Sequence, residues 1–225
     1  MTDGVLAGVR VLELGQVLAG PFAGAILADL GADVVKVERI DGGDDARRMG
    51  LAFRHGDALN FQVFNRGKQS VALDLKSAEG RAAFERLAGE ADIFIHNLRP
   101  GVPEALGIDG PALTARHPRL IYCGISAFGA AGPMAMRPGY EPLIQAFSGL
   151  SSTNGGPQDP PLRAGASVCD QGTGMWAVIG ALALLERRHR TGRGGIVGSS
   201  LLETALTWNG QKADAYVNEG KLPER

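Results

Sequence analysis

The residue best placed to do chemistry is Asp170. It lies in GASVCDQGTGMWAVIGALALLERRHRTGRG, residues 165–194. From Met175 to Leu185 every residue is apolar or Gly. That run predicts a buried helix and is too short to span a bilayer. The basic stretch after it, followed by Gly192, closes the helix as helix ends prefer. Asp170 falls where an N-cap belongs, and capping alone would explain an aspartate there. Gly172 and Gly174 are expected to strip bulk from the turn beside it. They would leave the carboxylate open to a ligand and offer backbone N–H groups to an oxyanion. The positive helix end predicts a carboxylate that is ionised at neutral pH. Such a group is a nucleophile towards an activated acyl carbon.

Other reactive side chains are less pointed. Cys123 and Cys169 sit in apolar runs and read as buried thiols, with no His or Lys adjoining Cys169 to activate it. His55, His96, His117 and His189 have no metal-ligand spacing, so no metal site is expected. A P-loop, a G-x-S-x-G elbow and a zinc motif are all missing.

Asp170 must be positioned by an α/β scaffold. Residues 9–14 (VRVLEL) read as a buried strand. A loop GQVLAG follows, then a helix opened by Pro21 and ended by Gly31, then a strand at 33–38 (DVVKVE). This is a βαβ unit with a parallel, right-handed crossover. Further strands are expected at 70–74, 92–96 and 120–125, and another after Thr191 leading into a helix from about Ser200. Helices are expected at 78–88, with Ala82, Ala83, Phe84 and Leu87 as the inner face, at 110–117 and near Pro142. The fold class is therefore α/β, a Rossmann-like parallel sheet flanked by helices. Its first turn lacks GxGxxG, so a dinucleotide fingerprint is absent. Arg39 ends the second strand, where a basic group suits an extra ribose phosphate. Residues 41–60 read as a long surface connection and 151–162 as a Pro/Gly-rich loop. Ligands of such sheets gather at the carboxyl ends of the strands.

Asp170 with its glycines, the apolar helix and RRHRTGRG resemble the class III CoA-transferases (the CaiB/BaiF family). AGPFAGAILADLGADVVKVER, FNRGKQSVALDLK and ADIFIHNLRPG are similar to family segments as well. The resemblance covers nearly the whole chain and implies that Asp170 is the nucleophile of a CoA transfer. By position it places coenzyme A contacts on Leu18, Ala19, Arg39, Leu73, Asp74, Leu75, Lys76, Asn97, Leu98 and Arg99, and further ligand contacts on Arg137, Tyr140 and Glu141. Arg39 would meet the 3′-phosphate of the CoA ribose. Formyl-transferring members carry a glutamine in place of Leu18 and an arginine in place of Ala105. The first difference argues against a formyl or oxalyl substrate, and the second removes a phosphate contact. Related racemases have Gly-His-Asp where this chain has Gly139-Tyr140-Glu141. A tyrosine near its usual pKa of about 10 is a poor proton shuttle at neutral pH, which favours transferase over racemase.

The family resemblance implies CoA or acyl-CoA as substrate with no permanently bound cofactor, a carboxylic acid acceptor, and an interlocked homodimer. Family members are nearly twice as long as this chain's 225 residues. Residues 1–206 are accordingly expected to form the CoA-binding and catalytic domain, with 207–225 beginning a linker to a second one. Uncovered apolar faces and self-association are expected too. A catalytically incomplete CoA-binding fragment is the alternative from another class. Net charge is −1 and 44% of residues are apolar, so neither disorder nor a nucleic-acid partner is expected. The first ten residues do not read as a secretory signal, and a cytoplasmic protein without a membrane role is expected.

Overall fold

The computed structural model of the chain describes residues 4–222. In chain order the elements are β1 (Arg10–Leu14), α1 (Ala19–Asp29), β2 (Asp33–Glu38), β3 (Phe53–Arg54), β4 (Asp57–Ala58), α2 (Leu59–Phe64), β5 (Lys68–Ala72), α3 (Ala78–Glu90) and β6 (Ile93–His96). There follow α4 (Val102–Leu106), α5 (Gly110–Arg116), β7 (Ile121–Ser126), α6 (Glu141–Phe147), α7 (Val168–Thr191), β8 (Gly195–Ser200), α8 (Leu201–Trp208) and α9 (Gly210–Glu219).

Six strands form one parallel sheet in the order β5-β2-β1-β6-β7-β8. Both faces are covered, which is why the central strands read as near-continuous apolar runs. On one face α1 and α7 close over Val11, Ile93, Ile95, Ile121 and Cys123. On the other, α3 and α5 cover Leu12, Leu14, Phe94, Leu120 and Tyr122. The order reverses between β1 and β6. That reversal opens a crevice at their carboxyl ends, lined by the loops at 15–18 and 97–99.

Some expectations shift. β5 runs from Lys68 to Ala72, two residues earlier than expected, so Leu73 and Asp74 lie beyond the strand and not within it. In α3 the buried stripe is Gly80, Phe84 and Ala88, at i, i+4 and i+8, and Ala82 faces solvent. Residues 41–60 are not merely a surface connection. They form a short 3-10 helix at Asp45–Arg48 and the β3–β4 hairpin, and bury Asp44, Ala46 and Ala58. The apolar run of 175–185 belongs to a single helix of 24 residues, long and apolar enough by length and composition to cross a membrane. Its buried residues pack in the fold instead, and its buried Arg188 pairs with Asp92 at 2.7 Å. Among the described residues, α9 has none that are buried.

Candidate active site

α7 begins at Val168, about two turns before its apolar run, so Asp170 is the third helical residue and not the cap. Ser167 occupies the cap position without a side-chain bond. The capping is done from elsewhere, by Glu141 at the start of α6. Its Oε1 accepts from the Cys169 N–H (3.1 Å) and from Gln145 Nε2 (2.5 Å), while its Oε2 accepts from the Asp170 N–H (2.6 Å). A buried carboxylate thus satisfies two of the donors a helix start leaves unpaired. Gln145 in turn accepts from the Ala164 N–H at 2.8 Å, fixing the lead-in to α7.

This arrangement reverses the expected ionisation of Asp170. Partial burial, and then the neighbouring charge of Glu141, raise its pKa from 3.8 to about 7. Both outweigh the helix end. Among the described residues no side-chain or backbone donor reaches the Asp170 carboxylate itself. An unpartnered, raised carboxyl at a helix start is a signature of a reactive site. Cys169 beside it is inert, its thiol pushed up to about 12 by burial and then by Glu141.

The glycines do not play their expected part. A Cβ on Gly172 would lie 2.7 Å from Thr204 and 2.9 Å from Trp208. One on Gly174 would lie 2.8 Å from the Ala19 carbonyl. They are there so that α8 and α1 can approach α7 closely, and their N–H groups lie within the helix. The same contact sets Asp170, one turn before Gly174, beside the first turn of α1. Both helices start at the carboxyl edge of the sheet.

The parallel sheet delivers the other expected contacts to that edge. Leu18 precedes α1, which starts without a side-chain cap. Asn97 Oδ1 accepts from the Gln16 N–H, and its Nδ2 donates to the Gln16 carbonyl, both at 2.8 Å, so the two crevice loops are joined. Leu73, Leu75 and Leu98 pack on one apolar cluster. Asp74 Oδ1 accepts from the Lys76 N–H at 2.9 Å, which shapes the turn after β5. Lys76, Arg99 and Arg137 are exposed, and no acid among the described residues pairs with their side chains.

Arg39 stands apart, at the end of β2. Its guanidinium donates to the Gly43 carbonyl and to Asp45 (2.7 Å), and with Arg47 and Arg48 it lines a cleft of about 420 Å³. Arg47 is committed to Glu38, whose carboxyl it holds down at about 2 against the effect of burial, and to Asp57. Tyr140 is exposed. Glu141 is buried, its carboxylate taken up by α7 and Gln145, so it acts through Asp170 and not as an open ligand contact.

Sequence reasoning missed two groups. Beneath the β1–α1 turn Lys36 pairs with Glu13 (2.8 Å) and Asp44 (3.0 Å), and Lys68 pairs with Glu13 (2.7 Å); all four side chains are nearly or fully buried. The signal was Glu13 inside VRVLEL and Lys36 inside DVVKVE, charges of opposite sign in two apolar runs, and the register sets Glu13 opposite Lys36. The other group is His96 with Tyr122. The Leu98 N–H donates to His96 Nδ1 at 3.2 Å, so the ring proton sits on Nε2 and faces the Tyr122 hydroxyl at 2.5 Å. Burial lowers the His96 pKa to about 4, keeping the ring neutral.

Known proteins resemble the chain over nearly all of its length. A profile of CoA-transferase family III matches residues 6–225. A succinate–glutarate CoA-transferase of Agrobacterium fabrum is 40% identical over 98% of this chain and 56% of its own length. A succinyl-CoA:glutarate CoA-transferase of Mus musculus is 38% identical over 98% of this chain and 50% of its own. The crystal structure of a CAIB/BAIF family protein from Brucella suis superposes with a TM-score of 0.94 at 38% identity, covering 100% of this chain and 60% of that one. The chain spans about half the length of the curated relatives it matches. With the sheet order, the crevice and Asp170 in place, the chain belongs to CoA-transferase family III.

Proposed function

We propose that the chain carries the CoA-binding and nucleophile-bearing part of a CoA-transferase that moves CoA from an acyl-CoA thioester to a carboxylic acid. The observation that carries this reading is Asp170: an unpartnered carboxyl with a pKa of about 7, beside the first turn of α1 at the switch-point crevice. Asp170 Oδ attacks the thioester carbonyl, the C–S bond breaks, and CoA thiolate leaves an acyl–aspartyl anhydride. The thiolate then attacks the aspartyl carbonyl and expels the donor acid, giving an aspartyl-CoA thioester. The acceptor carboxylate attacks that thioester, releases the thiolate and forms a second anhydride. Attack of the thiolate on the acceptor carbonyl yields the new acyl-CoA and restores Asp170. Every step is an acyl substitution without change of oxidation state.

Arg39, Lys76 and Arg99 are cations for the CoA phosphates, and Leu18, Ala19, Leu73, Asp74, Leu75, Asn97 and Leu98 line the path between. The names of the relatives support a small dicarboxylate as donor or acceptor acid, and the exposed Arg137 is the candidate for its second carboxylate. A homodimer is the proposed assembly. It is supported by the apolar face of α7, where Met175, Trp176 and Ile179 are each 44% or more exposed. The test is succinyl-CoA with glutarate and with other acids, assayed for the new thioester. Transfer that is lost in Asp170→Ala while CoA still binds supports the reading. Undiminished transfer in that variant overturns it.

A further inference from the structure

We propose that Asp44 and Lys36 are positioning residues for the Gly15–Leu18 turn, holding it through its backbone in the shape that receives CoA. The inference rests on the reading of the crevice given above. Backbone polar groups of three residues in this turn are bound by side chains from other segments. Lys36 Nζ donates to the Gly15 carbonyl at 2.6 Å. Asn97 holds both polar groups of Gln16. Asp44 Oδ1 accepts from the Val17 N–H at 2.9 Å, and from the Ala46 N–H at 2.9 Å.

Val17 is what makes the tether necessary. It has φ of 64°, the left-handed region, which a β-branched residue rarely adopts. Such a backbone persists only where its surroundings over-determine it, and such sites cluster at ligand clamps. The surroundings here are the buried charges. Burial works to lower the Lys36 pKa, but the charges of Glu13 and Asp44 outweigh it and raise it, so Lys36 stays a cation under the turn. Glu13 is accommodated because position 24 is glycine: a Cβ there would lie 2.0 Å from its carboxylate oxygen. Asp44 is itself held, its N–H donating to Glu38 Oε2 at 2.8 Å. A loop 27 residues downstream thus reaches back to fix the turn at the switch point.

Asp44→Ala and Asp44→Asn separate positioning from bulk stability. Both remove the ion pair with Lys36, and both should melt at lower temperature than the parent. Only alanine removes the acceptor of the Val17 N–H. Amide hydrogen exchange read at Val17 should rise at least about tenfold in Asp44→Ala and stay near the parent in Asp44→Asn. CoA affinity by calorimetry should fall about tenfold in Asp44→Ala, with most of that loss restored in Asp44→Asn. Unchanged exchange at Val17 in Asp44→Ala would overturn the tether. Faster exchange with unchanged CoA affinity would overturn its role in binding. A parent chain that binds no CoA would instead sink the reading of the crevice, and the tether would then be judged on exchange alone.

Discussion

Asp170→Asn should stabilise the protein above neutral pH, and by an amount that depends on pH in a defined way. In the folded chain the carboxyl holds its proton up to about pH 7, whereas its ordinary value is 3.8. Between those values the folded state binds more protons than the unfolded one, so stability falls as pH rises through the window and levels off above 7. Each pKa unit is worth about 1.36 kcal/mol, so ionised Asp170 costs the fold about 4 kcal/mol at most, and about 2 to 4 with solvent screening on its open side. Asparagine has no charge to lose and sits beside the Glu141 carboxylate, to which its amide can donate. The variant should therefore melt roughly 5 to 15 °C higher at pH 8, and the gap should shrink steadily as pH falls from 7 towards 4. Thermal melts of both proteins across that range, followed by circular dichroism, are the assay. A variant of equal or lower stability at pH 8, or a gap independent of pH, would refute the account of the Asp170 environment.

Four further outcomes follow from the same structure. Glu141→Gln removes the charge beside Asp170, so the ascending limb of the pH profile of kcat/KM, set near pH 7 by ionisation of the nucleophile, should move to lower pH; an unmoved limb would show that Glu141 does not act on Asp170. Arg39→Ala should weaken CoA by about tenfold, as expected for a charge-assisted contact, and calorimetry with 3′-dephospho-CoA should show no such loss. Burial lowers the Lys68 pKa to about 8 from 10.5, so between pH 8 and 10.5 the unfolded chain binds more protons and this residue makes stability rise with pH; Lys68→Met should abolish its share of that rise in denaturant titrations. The exposed Met175–Ile179 face of α7 should drive self-association, visible by light scattering, and Trp176→Glu should reduce it.

The fold was legible because its strands are buried on both faces. DVVKVE and DIFIH are short apolar runs between turn signals, and a parallel sheet is the arrangement that hides such runs. Gly31 and Gly192 ended their helices as expected. What stayed hidden was set by distant partners. Asp170 looked like a cap because caps are usually local; the cap came from Glu141, 29 residues upstream. Gly172 and Gly174 looked like room for a ligand, but the room is filled by α8 and α1. Glu13 and Lys36 were visible as charges inside apolar strands, yet only the register of β1 on β2 made them a pair. The loop 41–60 has no periodicity because its order comes from Asp44 and Arg47 reaching to other segments.

The central claim is that Asp170 becomes covalently bonded to the transferred group. The protein as isolated is incubated with succinyl-CoA and acceptor acid in the presence of hydroxylamine, digested, and the peptide containing Asp170 is examined by mass spectrometry. The account predicts a hydroxamate at Asp170, formed only when acyl-CoA is supplied and lost in Asp170→Asn. CoA transfer proceeding with Asp170 unmodified, or with the label on another side chain, would contradict it.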